Sequence, residues 1–258
     1  MTLSHALILG IVEGFTEFLP ISSTAHLALT GKLLGLEQTE YFKSFEIIIQ
    51  LGAILAVIAL YWRSLLQWEV IKRLVVGFIP TGILGLLFYK LVKLYLLESF
   101  PVMLTALLVG GILLIVFEKT HMGKKGEAKG VADIPYKTCF YIGLFQSLAM
   151  IPGVSRSAAT IVGGLLLGLQ KRTIVEFSFL LAVPTMLAAS SLDIYKNAQS
   201  FTTAQITLLS VGFITSFLMA LVSIKFLLAT LGRQTFSAFG FYRIGIASVF
   251  FILLALGF

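Results

Sequence analysis

Six apolar stretches constrain this chain more than anything else in it, running roughly over 41–62, 74–97, 101–118, 173–195, 203–230 and 241–258. About 20 apolar residues in a helix cross the hydrocarbon core of a bilayer. Several of the stretches reach that length, and the shorter ones reach it with flanking residues. Composition agrees: 58% of residues are hydrophobic, 12% are charged and the mean hydropathy is +1.00. A soluble domain has about a quarter charged residues, so most of this surface faces lipid. The expectation is an all-α integral membrane protein, a single polytopic domain over 1–258.

Other classes fall away quickly. The first thirty residues carry Glu13, Glu17 and His26 where a cleavable signal peptide needs an unbroken apolar core. One cysteine, Cys139, excludes an intrachain disulfide framework and a cysteine metal cluster. The net charge of +7 invites a nucleic-acid reading. Its basic residues sit between apolar runs without interleaved aromatics, so no nucleic acid is expected. Orientation in a membrane explains them better.

Two more segments, about 3–36 and 136–169, are apolar but broken by Pro, Gly, Ser and ionisable residues. Irregular backbone at membrane depth survives only inside protein or beside a wet cavity. Both therefore read as re-entrant helix–loop–helix hairpins. With six spans between and after them, one side collects Arg63, Lys72, Arg73, Lys119, Lys124, Lys125, Lys129, Lys137, Lys171, Arg172, Arg233 and Arg243. The other collects Lys32, Lys43, Lys90, Lys93 and Lys196. The bias puts the Lys119–Lys129 loop in the cytoplasm and both termini outside.

That loop splits the chain into a repeat over about 1–118, a linker over about 119–134 and a second repeat over about 135–258. Gly10, Glu13 and Ser22 of the first hairpin correspond in spacing to Gly143, Gln146 and Ser155 of the second. Three spans per half, an odd number, turn the second copy upside down and give an inverted-topology (3+3) repeat. The hairpin tips would meet near the midplane.

The chemistry gathers at those tips. Glu13 and Glu17 lie four apart, on one face of a helix. Each buried charge costs about 2.5–3.5 kcal/mol on insertion scales, so two glutamates and Arg156 need partners, water or a function. The bland alternative is an ion pair that glues helices. After Pro20, Ser22, Ser23 and Thr24 are N-cap residue types, as are Ser155 and Ser157 after Pro152-Gly153. Two opposed helix N-termini with Arg156 between them would clamp a phosphate. His26, one turn into its helix, fits a general base or acid; alone, it would read as an ordinary polar residue. His5 and His121 lack such company. Gly110-Gly111 and Gly163-Gly164 read as helix-packing points, and Pro80 and Pro184 as span kinks.

The run Glu13-Gly-Phe-Thr-Glu17-Phe-Leu-Pro-Ile-Ser-Ser-Thr-Ala-His26 and the run Pro152-Gly-Val-Ser-Arg-Ser-Ala-Ala-Thr160 resemble the two signature segments of the bacterial undecaprenyl-pyrophosphate phosphatases, the bacitracin-resistance type. The likeness extends through Phe45–Gly52, Glu176–Pro184 and Tyr242-Arg243, and so covers nearly the whole chain. It implies hydrolysis of undecaprenyl diphosphate to undecaprenyl phosphate and inorganic phosphate, which recycles the carrier lipid for peptidoglycan and gives bacitracin resistance. It implies a bacterial plasma (inner) membrane location with the site facing the periplasm, and stimulation by a divalent cation, Mg2+ or Ca2+. Glu13, Glu17, Ser23, His26 and Arg156 are the expected catalytic set. Ser22, Thr24, Ser155, Ser157, Thr160 and Arg156 are expected to bind the diphosphate, and Glu13 and Glu17 to hold the metal. The nucleophile stays open among Ser23, His26 and water. A homodimer is compatible with the sequence but not specified by it. The rival class is a flippase for undecaprenyl phosphate or a related anionic lipid, since inverted repeats with broken helices also mark transporters.

Overall fold

The computed structural model describes residues 1–92, 96, 99–121, 130–197, 201–231 and 235–256, except for the side chains of 89–90, 121 and 192–197. Lys93, Lys124, Lys125, Lys129 and Arg233, most of the Lys119–Lys129 loop, and the side chains of Lys90, His121 and Lys196 lie outside the described residues. Among the described residues no strand occurs and ten α-helices follow one another: α1 Leu3–Thr16, α2 Ser23–Leu33, α3 Glu40–Leu65, α4 Trp68–Leu91, α5 Phe100–His121, α6 Tyr136–Ser147, α7 Arg156–Leu166, α8 Lys171–Asn197, α9 Thr203–Thr230 and α10 Phe236–Ala255.

Six helices, α3, α4, α5, α8, α9 and α10, are long and apolar enough to cross a membrane. They coincide with the six apolar stretches, but two begin early: α10 starts at Phe236 rather than 241, and α4 is displaced further. α4 starts at Trp68, ahead of the expected 74, because Glu69 holds both Lys72 and Arg73 within the first turns. Arg73 also donates from Nε to the Ile134 carbonyl at 2.7 Å. Paired charges of this kind extend a helix that hydropathy alone truncates. Pro80 and Pro184 lie inside α4 and α8. A break in helical dihedrals falls at Tyr61 in α3, where no proline stands.

The remaining four helices are short. α1 has 14 residues, α6 has 12, and α2 and α7 have 11 each, about 17–21 Å at the helical rise and too little to cross a bilayer. α1 packs on α2, and α6 on α7. The broken apolar segments are thus two pairs of short helices, each joined by an irregular turn.

The packing partners follow a pattern. α1 lies on α9 and α6 on α4; α3 lies on α9 and α8 on α4; α3 meets α8, and α5 meets α10. Glycines set the first two contacts. A β-carbon on Gly10 would lie 2.6 Å from the Gly212 carbonyl oxygen, and one on Gly143 would collide with the Gly77 carbonyl oxygen. Helices approach this closely only where a side chain is missing. Gly163 and Gly164 similarly seat Phe145 and Ile174, and Gly111 abuts the Gly240 carbonyl.

Arg243 does not stand where the basic bias along the sequence placed it. Arg243 stands inside α10 and is 1% exposed. It is an interior residue, and it contributes nothing to the cytoplasmic flank.

Candidate active site

The turn after α1 and the turn before α7 meet. Ser157 donates from Oγ to the Leu19 carbonyl at 2.8 Å, and Ser155 Oγ lies 3.0 Å from Ser157 Oγ and 3.5 Å from the same carbonyl. Ser155 also caps α7, accepting from the Ala158 amide at 3.2 Å. Thr160 bonds Ser178 Oγ at 2.6 Å and back-bonds to the Arg156 and Ser157 carbonyls, tying α7 to α8.

Across this junction runs a line of polar contacts. Ser23 Oγ donates to Glu17 Oε2 at 2.5 Å. The other oxygen of Glu17, Oε1, accepts from Arg156 Nη2 at 3.2 Å and Nε at 3.4 Å. Arg156 Nη1 donates to the Ser178 carbonyl at 2.8 Å, and the guanidinium stands 6.0 Å from the Phe18 ring centre. Only 3% of the Glu17 side chain and 10% of the Arg156 side chain is exposed. An ion pair so removed from water is strongly coupled, and deleting one partner leaves the other stranded. Part of the arginine fork remains for phosphate oxygens.

His26 uses both ring nitrogens. Nδ1 lies 2.8 Å from the Ser22 carbonyl and Nε2 lies 2.9 Å from the Tyr242 hydroxyl, with the two rings stacked at 5.5 Å. A carbonyl only accepts, so the network assigns the proton to Nδ1 and makes Nε2 the acceptor from Tyr242. Ser22, whose carbonyl meets His26, stands in the left-handed region, φ 72°, where few residues other than glycine go. Strain held at one residue of a buried turn is a common mark of a functional site.

The N-terminus of α2 departs from the expectation of a serine cap. Ser22 occupies the cap position but makes no side-chain cap bond, and the Ser23 hydroxyl is turned to Glu17. The first-turn amides of α2 therefore keep their anion-binding character, whereas α7 shares its first turn with Ser155. Thr24 is exposed on the same first turn, while Ser22, Ser23 and His26 are buried.

Glu13 is fully buried beside the Glu17 carboxyl, and among the described residues no arginine, lysine, hydroxyl or amide donor reaches its carboxylate oxygens. Glu17, Glu46 and Arg156 all act on it electrostatically. Among the described residues no three His, Cys, Asp or Glu side chains are grouped to hold a metal. A divalent ion bound by one or two carboxylates plus substrate phosphates needs no such cage. The orphaned oxygens of Glu13 fit that arrangement better than those of Glu17, which Ser23 and Arg156 already hold.

Residues 6–249 match the family described as bacitracin resistance protein BacA. The chain belongs to the BacA family. Among curated relatives of this family, the undecaprenyl-diphosphatase of Sulfurihydrogenibium sp. is 50% identical over 98% of this chain and 99% of its own length. The undecaprenyl-diphosphatase of Aquifex aeolicus is 50% identical over 97% of this chain and 98% of its own, and that of Wolinella succinogenes 48% identical over 99% and 100%.

Beyond Glu13, Glu17, Ser22, Ser23, His26, Arg156 and the α7 serines, the candidate site brings together residues that the sequence alone does not single out. Tyr242 stands out in the sequence only through the family likeness, Arg243 through that likeness and as a supposed flanking charge, and Ser178 and Glu46 only as members of the runs Glu176–Pro184 and Phe45–Gly52. Arg243 had a readable signal: an arginine near the start of the 241–258 apolar stretch, as unexpected there as Arg156 in its hairpin.

Proposed function

We propose that this chain is a membrane hydrolase that converts undecaprenyl diphosphate to undecaprenyl phosphate and inorganic phosphate, regenerating the carrier lipid for cell-wall synthesis and thereby conferring bacitracin resistance. The observation that carries the reading is Ser23 Oγ held 2.5 Å from a Glu17 carboxylate whose other oxygen is fixed by Arg156. Curated BacA-family relatives of half the same sequence bear the undecaprenyl-diphosphatase name over their full length.

In this mechanism Glu17 takes the Ser23 proton as Oγ attacks the terminal phosphorus. The bond to the bridging oxygen breaks, undecaprenyl phosphate leaves, and water later cleaves the phosphoserine. A loose phosphoryl-transfer transition state gives the protein mainly positioning and charge to supply. The free part of the Arg156 fork and the uncapped start of α2 would meet the phosphate oxygens. Glu13 would carry a divalent cation, which would neutralise charge on the diphosphate. His26, with both nitrogens engaged, fits proton transfer through Tyr242 better than nucleophilic attack.

The exchange of packing partners between α1/α9 and α6/α4, with Gly10–Gly212 matched by Gly143–Gly77, supports the inverted repeat. Under it, the paired short helices are re-entrant, the termini lie outside, the linker is cytoplasmic and the site opens outward from the bacterial inner membrane.

Purified protein in detergent has no two compartments, so phosphate release there separates hydrolysis from lipid flipping. Removing one partner of a buried pair costs about 3–5 kcal/mol, so Arg156→Lys is a safer probe than alanine. Turnover by the wild type, with a fall of about 100-fold in Arg156→Lys, is the expected result. Folded protein that moves the lipid but releases no phosphate overturns the reading.

A further inference from the structure

Arg243 is among the largest fully buried side chains of the protein. All its bonds go to backbone carbonyls: Nη1 to Pro20 at 3.2 Å, Nη2 to Gly153 at 3.0 Å and Ala106 at 3.1 Å, and Nε to Leu107 at 3.3 Å. Pro20 belongs to the turn that delivers Ser22 and Ser23. Gly153 belongs to the turn that delivers Ser155 and Arg156. Both are irregular segments at membrane depth, where an unsatisfied carbonyl is costly. One planar fork satisfies both at once, a task for which a lysine ammonium lacks the geometry.

The seat for this side chain is prepared on α5. A β-carbon at Gly110 would collide with Nη2 of Arg243 and stand 2.8 Å from its Cζ, and one at Gly111 would stand 3.1 Å from its Cβ. The Gly110-Gly111 pair is therefore more than a packing point between α5 and α10: it makes the room through which the guanidinium reaches the turns. Gly153 itself has φ +91° and presses on the Met103 carbonyl, so that turn is closely confined against α5. On the neighbouring position of α10, Tyr242 bonds His26.

We propose that Arg243 is a positioning residue that locks the two active-site turns to α5 and to each other, so that Ser23 and Glu17 of one turn stay in register with Arg156 of the other. Where turnover is the readout, the inference rests on the phosphatase reading. A second readout does not.

The test compares wild type, Arg243→Met, Arg243→Lys and Gly110→Ala in detergent, by phosphate release from a prenyl diphosphate and by amide hydrogen exchange. Gly110→Ala keeps the charge but displaces the guanidinium, the movable far end of a side chain, from its carbonyls. A misplacement near 1 Å costs about 100-fold in rate. Arg243→Met and Gly110→Ala are each expected to lower kcat by about that factor with KM moving by less than about threefold. Arg243→Lys should fall between them and wild type. Exchange should rise in 17–23 and 151–157 and stay unchanged in α9. Wild-type kcat in Arg243→Met or Gly110→Ala overturns the proposal, as does a loss of activity with unchanged exchange in both turns. A rise spread over all helices in both variants also overturns it, in favour of a general scaffold role. Should the wild type release no phosphate, the functional reading fails and the exchange arm alone judges the clamp.

Discussion

Tyr242 reaches His26 Nε2 from a helix more than two hundred positions along the chain, at 2.9 Å, while the Ser22 carbonyl holds Nδ1 at 2.8 Å. The tyrosine is 44% exposed and the histidine 9%, so the pair links a buried turn to a more open edge of the site. Replacing Tyr242 with Phe keeps the stacked ring and deletes the donor. Supporting hydrogen bonds to a functional imidazole are commonly worth about 10–100-fold, and a kcat loss in the lower part of that range is expected with KM little changed. Nitrogen-15 chemical shifts of His26 should move from a single Nδ1–H tautomer to a mixture. An unmoved tautomer in an impaired variant would detach Tyr242 from His26.

In the proposed mechanism Ser23 and Glu17 carry the chemical step, and their 2.5 Å contact makes a covalent intermediate testable. Rapid quenching with substrate labelled at its terminal phosphate should leave label on a peptide containing Ser23. Ser23→Ala should abolish that label, and Glu17→Gln should slow its formation by about 10²–10⁴-fold, the usual weight of a general base. Label on His26, or none at all during rapid turnover, removes serine from the role.

Glu13 offers the simplest check on a cation. On the proposed reading its two oxygens, fully buried and without a donor, would coordinate the ion, since Ser23 and Arg156 already hold those of Glu17. Chelator is expected to suppress phosphate release, restored by Mg2+ or Ca2+. Glu13→Gln should shift the half-saturating cation concentration upward by more than about tenfold, the affinity lost with one charged ligand. An unchanged cation titration in that variant sends the ion elsewhere.

What the sequence revealed and what it withheld divide along a physical line. Six spans were legible because hydropathy sums over about 20 residues and local errors average out. The two breaks, now seen as pairs of short helices, were legible because Pro20, Pro152 and the charges beside them contradict a straight span. That Glu13, Glu17 and Arg156 need partners followed from the cost of burying each alone, but which glutamate takes the arginine did not. The roles of Ser155 and Ser157 were harder: a serine after Pro-Gly signals a cap, and only coordinates reveal that its hydroxyl also hooks Leu19 of the other turn. Ser22 misled for the opposite reason, since its left-handed backbone is invisible to any propensity. Arg243 was misassigned because a loop-charge count treats every arginine near a span end as a flank.

Close helix contacts give a stability prediction independent of chemistry. Gly143→Ala forces a methyl into the Gly77 carbonyl, and Gly10→Ala into that of Gly212. Overpacking of this kind costs about 1–3 kcal/mol. Gly245, in α10, has nothing within 4 Å of where its β-carbon would be, so Gly245→Ala should be neutral or stabilise by up to about 1 kcal/mol through helix propensity. Thermal unfolding in one detergent compares the three. Equal melting points for Gly143→Ala and Gly245→Ala would contradict the backbone contact between α4 and α6.

Orientation can be read with cysteine chemistry because the native Cys139 is buried in α6. Glu37, in the turn before α3, and Lys119, near the end of α5, are both exposed. Three spanning helices, α3, α4 and α5, separate them, so the two positions must lie on opposite faces of the membrane whatever the overall orientation. The basic bias gives the expectation that Lys119 lies on the cytoplasmic face. In intact cells an impermeant maleimide should therefore label Glu37→Cys and spare Lys119→Cys until the membrane is opened. Reversed labelling would turn the site and both termini inward. Labelling of both from outside would break the three-span count between them and, with it, the argument for an inverted second half.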